Sequence, residues 1–306
     1  MFFSYSSKLA LTFRKGGQVK SEKQQRDSIT TGRTSIRQPA SSLCAGLILV
    51  CFLPATLLAA SGWQSTLTKD PPGNFPELRP LRAHYAFGWS GFTAASGEVH
   101  FDKVGSHRFQ LEGKGKTTGL VRALWKLDAH YRSTADAETL HPIESTQEEL
   151  YRSKKFVTRL AFTSAGVTRT RTEGLNSPVT KTVTFEFQNL FDLNSALLYL
   201  RSQPLKDHAV YCVAVYPATS AYVATVTVLG HEKITTRVGS YNAIKLDLQI
   251  KRIGKNLELE PHRKFHRATA WVSDDNNRIL LRLEAQIFVG TVFAELQSVQ
   301  FNPEKP

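Results

Sequence analysis

The fold is decided by the segment Ile244-Lys-Leu-Asp-Leu-Gln-Ile250, in which apolar and polar residues alternate without a break. In a β-strand, such a period of two places the apolar side chains on one face and the polar ones on the other. Residues 279–287 repeat the alternation after a polar segment. One dry face and one solvated face are typical of an antiparallel sheet, so the C-terminal half of the chain is predicted to be sheet.

The same period continues towards the N-terminus. Apolar residues alternate with polar ones around Tyr85, Phe109 and Leu127. Further strands are expected at residues 156–162, 167–172, 182–187, 210–215, 222–229 and 291–301. So many strands curl or split into two layers more easily than they stay in one flat sheet. We predict a mainly β fold, a curved antiparallel sheet or incomplete barrel of about a dozen strands with one or two short helices.

Two short helical segments interrupt the strands. Asp192 is placed to cap the first one, whose apolar residues recur at helical spacing and predict one stripe packed on the sheet. That stripe consists of Leu193, Ala196, Leu197 and Leu200. Residues 118–126 form a shorter candidate that brings Leu120 and Leu124 together. Two helices are too few for the crossovers of a parallel α/β sheet.

The N-terminal region has the pattern of an export signal. Residues 43–60, LCAGLILVCFLPATLLAA, carry no charge, follow a basic segment and end on small residues. We therefore divide the chain into a signal peptide with an overlong basic region (1–61), a Pro-rich linker (62–82) and a single β-rich domain (83–306). The expected location is the periplasm. The alternative is anchoring in the inner membrane by residues 43–60, because 18 apolar residues reach the lower limit for spanning a bilayer.

The net charge of +13 does not indicate a nucleic-acid partner. Residues 1–62 hold eight Lys and Arg against two acidic residues, and the rest of the chain holds 31 against 24 without a dense basic block. Nucleic-acid binding requires the charge to be concentrated on one face. Two of the three cysteines, Cys44 and Cys51, lie in the apolar run. Cys212 would remain alone, in a segment that predicts a buried strand, where cysteine acts as a small hydrophobe.

Several local patterns suggest chemistry, but each has a structural explanation. Gly113-Lys-Gly-Lys-Thr117 lacks the earlier glycine of a phosphate-binding loop. His262 and His266 are four residues apart, but their context predicts a loop and a strand, which separates the rings too far for one metal ion. The acidic segment 273–277 is typical of a hairpin turn.

Hydrolytic chemistry finds no support in the local patterns either. Glu148 and Glu149 adjoin a predicted strand and should face opposite sides, so they cannot act as a pair. The sequence contains no G-x-S-x-G nucleophile motif. We therefore predict no catalytic residue, metal ligand or cofactor, and assign no ligand-binding residue.

Four segments together carry a resemblance to a known family. They are Tyr85-Ala-Phe-Gly-Trp-Ser-Gly91 with Ala95-Ser-Gly97, Phe191-Asp-Leu-Asn-Ser-Ala-Leu-Leu-Tyr-Leu-Arg201, Gly239-x-Tyr241-x-Ala243-x-Lys245 and Ala270-Trp-Val-Ser-Asp-Asp275. In these segments the chain resembles the bacterial exported family called domain of unknown function 3108, over about residues 83–301. The resemblance implies an envelope protein with a mostly β fold, no established activity and no catalytic residues. A more distant likeness, in architecture alone, is to the periplasmic lipoprotein-carrier proteins.

These observations lead to three functional hypotheses. The first is a non-enzymatic periplasmic protein whose curved sheet binds a lipid, a lipoprotein or another amphipathic ligand. The second is an assembly or structural factor that binds another envelope protein. The third is a hydrolase acting on envelope polymers. Membrane contact is expected only through residues 43–60, if they are not removed.

Overall fold

The computed structural model describes residues 62–73, 79–262, 265–287 and 290–301, and for residues 265 and 266 only the backbone. Within those residues, one sheet of sixteen strands and two helices form the fold, which confirms the mainly β prediction. The helices are α1 (Gly119–Leu124) and α2 (Leu193–Ser202). The strands are β1 (Leu81–Trp89), β2 (Phe92–Val104), β3 (Arg108–Thr117), β4 (Leu127–Asp136), β5 (Pro142–Tyr151), β6 (Lys154–Thr163), β7 (Gly166–Glu173), β8 (Val179–Glu186), β9 (Leu190–Phe191), β10 (Val210–Val215), β11 (Tyr222–Thr236), β12 (Gly239–Ile253), β13 (Leu259–Pro261), β14 (Phe265–Ser273), β15 (Leu280–Ile287) and β16 (Gly290–Phe301).

The strand order follows two meanders that meet at the chain ends. From one edge the order runs from β8 back to β1, then β16, β15, β14, β12, β11, β10 and β9, with β13 beside β12. Every pairing is antiparallel except the short parallel contact between β9 and β10. The count of sixteen exceeds the expected dozen. One strand that the sequence pattern missed is β5, whose inward residues are polar and give no apolar period.

The sheet curls until its two ends come together, and among the described residues no hydrogen-bonded ladder closes it. Leu160 of β6 and Val167 of β7 pack with Ala214 of β10 and Val223 of β11 in one buried cluster. The Arg169 guanidinium also donates a hydrogen bond of 2.7 Å to the Thr219 carbonyl oxygen. The sheet is therefore an incomplete barrel, as predicted.

Helix α2 lies inside the curl, where it contacts several parts of the wall. Its N-cap is Asp192, as predicted, and Asp192 and Ser195 form a reciprocal capping box. Leu198 packs with residues of β1, β2 and β3, while Leu200 packs with residues of β10, β11 and β12. The predicted single stripe is wrong in part: Leu197 is 40% exposed, whereas Leu198 and Tyr199 are buried. A helix surrounded by sheet buries more than one face.

The shorter helix predicted at residues 118–126 is present as α1. It connects β3 to β4 at one end of the sheet and contains no buried residue. Its two leucines, Leu120 and Leu124, point away from the core. The polar face contacts the sheet instead, because Arg122 forms two hydrogen bonds with the Asp128 carboxylate at 2.9 and 3.1 Å.

The segment predicted to be a linker contacts the domain at several points. Residues Trp63–Thr66 form a 3-10 turn, and Trp63 stacks on Phe187 and donates to the Leu257 carbonyl oxygen. Further along, the Asp70 carbonyl oxygen accepts a hydrogen bond of 2.9 Å from the Tyr199 hydroxyl of α2. The predicted signal peptide and its apolar run lie outside the described residues. Among the described helices, neither has the length and apolar character needed to cross a membrane.

Candidate functional site

The inner face of the sheet is identified by its contacts with α2. Tyr131 and Ser133 of β4 both donate hydrogen bonds to the Asp192 carboxylate at the start of α2, at 2.9 and 2.5 Å. Residues in register with these two on neighbouring strands share their face. We call this side of the sheet the inner face.

A polar wall occupies the inner face of β4 to β7. Gln147, Glu149 and Thr158 are all buried there, and Arg171 lies in register beside Thr158. The Gln147 side-chain amide donates a 3.0 Å hydrogen bond to the Glu149 carboxylate, and Arg171 donates a 3.2 Å bond to the Thr158 hydroxyl. Four neighbouring polar side chains on the inside of a sheet form a hydrogen-bonding surface that an apolar core would not require.

The predicted separation of Glu148 and Glu149 is confirmed. Glu149 is 3% exposed on the inner face, whereas Glu148 forms an ion pair of 3.2 Å with Lys155 on the outside. The two carboxylates are therefore not an acid and base pair. Of the two, only Glu149 belongs to the site, and no signal in the sequence distinguished it.

The buried Asp192 carboxylate is the centre of a second polar cluster on the inner face. Besides Tyr131 and Ser133, it accepts hydrogen bonds from the backbone N–H and the hydroxyl of Ser195, both at 2.7 Å. Burial and the neighbouring Asp192 carboxylate raise the pKa of the Tyr131 hydroxyl well above its ordinary value. The hydroxyl therefore stays protonated and acts as a donor. Two of these donors lie on β4 and two on Ser195 of α2, so the Asp192 carboxylate joins the helix to the sheet.

An apolar wall lies on the inner face of β12 to β16 and consists mostly of small residues. One row across the strands is formed by Leu248, Ala268, Ala285 and Val292. The next row is formed by Leu246, Ala270, Leu283 and Ala294. Leu248 and Leu283 keep partial exposure although both belong to this inward-facing wall. The four alanines of the two rows are buried.

On β3, the inner face has a glycine, Gly113. Gly113 lies in register with Tyr131 on the inner face. A Cβ atom added at Gly113 would meet only the Glu98 carbonyl oxygen at 3.9 Å and the Tyr131 Cβ at 4.0 Å, both on neighbouring strands. No atom from the opposite side of the curl comes within that range. A single methyl group could therefore be added at this position in ordinary van der Waals contact with the neighbouring strands.

Two arginines bracket the C-terminal end of α2. Arg201 donates to the Asn277 carbonyl oxygen, and Arg278 donates to the carbonyl oxygens of Arg201 and Gln203. Burial lowers the pKa of Arg201 to about 10, partly opposed by nearby Tyr85. Burial also raises the pKa of Tyr85, whose hydroxyl donates to the Leu280 carbonyl oxygen at 2.8 Å. Two segments that carry the family resemblance, through Tyr85 and Arg201, thus contact residues that follow the segment ending at Asp275, and these contacts hold the helix in place.

The structure confirms the structural explanations for two of the sequence patterns. Gly113 to Thr117 form the end of β3, so the segment is a strand. Residues 274–279 form the turn between β14 and β15, where the Asp275 carboxylate accepts hydrogen bonds from the backbone of Asn277 and Arg278.

The cysteine and the histidine pair considered in the sequence, Cys212 and His262 with His266, are not among the residues of the two walls. Cys212 is in the predicted strand, but it is only partly buried, and its backbone N–H donates to the Thr68 hydroxyl at 2.9 Å. His262 follows β13 and lies 5.5 Å from the Tyr222 ring, whereas the His266 side chain is outside the described residues. In the described part of the chain, no group of three His, Cys, Asp or Glu side chains has the arrangement of a metal site.

Comparison with known proteins gives one family match. A family model described as "Protein of unknown function (DUF3108)" matches residues 82–297, which span nearly the whole sheet. No curated protein matches the chain in sequence.

Solved structures are similar only at low identity. A beta-barrel-like protein of domain of unknown function DUF1849 from Brucella abortus is 10% identical, with a TM-score of 0.48 over 74% of this chain and 99% of that chain. A "putative lipoprotein" from Parabacteroides distasonis is 9% identical, with a TM-score of 0.31 over 76% of this chain and 100% of that chain. A "putative exported protein with YmcC-like fold" from Bacteroides fragilis is 10% identical, with a TM-score of 0.27 over 74% and 98% of the two chains.

Proposed function

The chain belongs to the DUF3108 family of proteins of unknown function, and from that premise we propose that it is an exported binding protein without enzymatic activity. Its ligand would be amphipathic, such as a lipid or the lipid part of a lipoprotein, and would lie against the inner face. The family resemblance seen in the sequence is confirmed by the match over residues 82–297. Export is part of the proposal and rests on the apolar run at 43–60.

One observation carries the proposal: the inner face has an apolar wall beside a polar wall, and two leucines of the apolar wall keep partial exposure. These leucines are Leu248 and Leu283, and a Cβ atom added at Gly113 would meet no described atom from across the curl within 4 Å. Acyl chains suit the alanine-rich rows, and a polar headgroup suits Glu149 and its neighbours. Ligand sites of this kind are mostly apolar with a few converging polar groups.

The buried polar groups favour binding rather than catalysis. Asp192 accepts four hydrogen bonds that fix α2, and the Glu149 carboxylate is held by a hydrogen bond from Gln147 among its contacts. A general base needs a free acceptor within reach of a substrate proton. The carboxylate of Asp192 has its acceptors occupied by protein donors, so we assign it a structural role.

The proposal is tested by filling the interior from Gly113. We expect wild-type protein purified from a membrane-containing lysate to retain bound lipid in native mass spectrometry. The same protein should take up 11-(dansylamino)undecanoic acid, an amphipathic fluorescent probe, with a blue shift of its emission. Gly113→Leu would occupy the space and abolish both signals while the protein stays folded. Lys114→Leu, one residue along on the outside of the same strand, is the matched control and should bind as wild type.

A wild-type protein that emerges without lipid and leaves the probe in water contradicts the proposal. So does a folded Gly113→Leu variant that binds the probe with unchanged affinity, because the ligand would then lie elsewhere.

The assembly hypothesis is favoured by a different observation, at the edge strand β8. Nearly all of Val179–Glu186 is exposed, including Val179 and Val183. An exposed edge strand is a template for the addition of a strand from another protein. Crosslinking from an introduced cysteine at Thr182, on the same strand, distinguishes this function: a specific envelope protein captured there, together with an empty interior, would favour assembly over ligand binding.

A further inference from the structure

The most exposed large apolar side chains among the described residues lie at one end of the sheet. Leu120 and Leu124 of α1 are 85% and 76% exposed, and Phe92, the first residue of β2, is 76% exposed. The backbone N–H of Thr118, just before α1, donates to the Ala94 carbonyl oxygen at 2.9 Å, which holds α1 beside the start of β2. We call Phe92, Leu120 and Leu124 the apolar rim.

The rim is held in this outward orientation by the polar contacts of α1. Arg122 is tied to Asp128, and the Arg152 guanidinium donates a 2.9 Å hydrogen bond to the Leu124 carbonyl oxygen at the end of the helix. Trp125, directly after the helix, is buried against Tyr151. These contacts use the sheet side of α1, so its leucines face solvent. Single exposed leucines are common, but adjacent ones at one edge mark an interaction surface.

The surroundings of the rim are positively charged. Lys116, Lys126, Arg152 and Lys154 flank α1 and are exposed. Within the described part of the chain, none of these four cations is in an ion pair with a carboxylate. The acidic groups close by are engaged elsewhere, since Asp128 is bound by Arg122 and Glu148 by Lys155. The positive charge at this end is therefore not neutralised by the protein.

We propose that the apolar rim docks on a bilayer surface that contains anionic phospholipid. Peripheral membrane binding combines buried apolar side chains with electrostatic attraction to anionic headgroups. Three large apolar side chains in a basic border supply both contributions, whereas an apolar groove on another protein would not require the unpaired lysines. This docking does not depend on a ligand in the interior. It would place one end of the curled sheet against a bilayer, from which a lipid ligand could enter.

The experiment reports the surroundings of one rim residue in the full chain. Leu120→Cys is made after Cys44, Cys51 and Cys212 are replaced by serine, and the new thiol is labelled with the fluorophore NBD. Vesicles contain phosphatidylcholine with phosphatidylglycerol at a ratio of 3:1, or phosphatidylcholine alone. The matched control is Leu229→Cys, labelled in the same way at an exposed leucine on β11. Because the label reports its own position, the N-terminal apolar run does not confuse the reading.

We expect the label at position 120 to shift to the blue with anionic vesicles and to be quenched by spin-labelled lipid, with no change at position 229. Lys126→Gln combined with Lys154→Gln should raise the concentration of anionic vesicles that gives half of the shift at position 120 by roughly 10- to 30-fold, since each basic residue near such a surface is worth about 1 kcal/mol. Lys233→Gln combined with Arg237→Gln, on the β11–β12 hairpin, is the control pair and should change binding less than about twofold.

Three outcomes would overturn the proposal. The label at position 120 remains in a water-like environment with anionic vesicles. The fluorescence shift at position 120 is the same with phosphatidylcholine alone and is unchanged by the lysine substitutions. The shift appears without vesicles and grows with protein concentration, which would identify the rim as a contact between two copies of the chain. None of these results bears on the Gly113→Leu experiment, so the two proposals fail separately.

Discussion

The two helices use the same kind of residue for opposite purposes. Helix α2 has ten residues, seven of them buried, and a complete capping box at Asp192. Helix α1 has six residues, none of them buried, and presents Leu120 and Leu124 to solvent. Apolar burial stabilises α2, whereas α1 is held by hydrogen bonds and one ion pair. The leucines of α1 are therefore not needed for folding and remain available for binding.

The largest expected effect in this comparison is at the α2 cap. Asp192→Ala removes the cap and leaves the buried hydroxyls of Tyr131 and Ser133 without their acceptor. A lost N-cap costs about 1 kcal/mol, and each buried unsatisfied donor costs about 1 to 3 kcal/mol. We expect the free energy of unfolding to fall by roughly 3 to 5 kcal/mol, as measured by urea denaturation followed by circular dichroism.

The control for Asp192 is Asp136, which caps an exposed turn. Its carboxylate accepts hydrogen bonds from the backbone of Glu138 and Thr139. Because water can replace those bonds, Asp136→Ala should lower the free energy of unfolding by no more than about 1 kcal/mol. Equal losses for the two variants would show that burial is not what makes the α2 cap different.

Adjacent leucines of α2 give the second test. Leu198 is 2% exposed inside the curl, and Leu197 is on the side with access to water. Leu198→Ala should cost about 3 kcal/mol from lost burial and the cavity left behind. Leu197→Ala should cost less than about 1 kcal/mol, because a partly exposed leucine buries less area. Denaturation midpoints of the two variants check the orientation of the helix directly, and a larger loss for Leu197→Ala would refute it.

The same two helices show what the sequence could reveal. The cap at Asp192 and the strand at residues 244–250 were predictable because capping and alternation depend on neighbours in the chain. The buried stripe of α2 was wrong at Leu197, and the burial of Leu198 and Tyr199 was not predicted, because the helix is enclosed by sheet and enclosure is a property of the whole fold. The contact of Asp192 with Tyr131 joins residues 61 positions apart, and no local pattern signals it.

The polar wall escaped prediction for a related reason. Strand β5 was missed because Ser145, Gln147 and Glu149 occupy the positions where an inward strand usually has apolar residues. A strand that lines a site breaks the very alternation by which strands are recognised. The absence of an apolar period between two clear strands, β4 and β6, was the only available signal. It became informative once the register placed these residues beside Tyr131 and Thr158.

A smaller effect is expected from pH at the start of α2. His141 stacks on Phe191 with ring centroids 4.9 Å apart, and burial lowers the pKa of His141, partly opposed by Asp136. Above about pH 6.5 the imidazole is neutral in both the folded and the unfolded chain, so it contributes nothing. As the pH falls below this value, the unfolded chain takes up a proton that the folded chain resists. Stability is therefore lost on acidification.

The ring keeps some access to water, so this loss should be less than about 1 kcal/mol between pH 7.5 and 5.5. His141→Phe keeps the stacking and removes the titration. The urea midpoint of wild type should therefore fall relative to that of His141→Phe as the pH is lowered. An unchanged difference would show that the pKa of His141 is the same in both states.

The smallest effect is expected at α1, and it completes the comparison. Leu120→Ser and Leu124→Ser together should alter the free energy of unfolding by no more than about 0.5 kcal/mol, because neither side chain is buried and the ties at Arg122 and Arg152 remain. The measurement is urea denaturation without vesicles, beside Leu198→Ala. A loss comparable to that of Leu198→Ala would mean that the α1 leucines pack in solution, and their exposure could no longer be assigned to binding. If stability is kept while vesicle binding is lost, the two helices separate the folding of this chain from its attachment to a membrane.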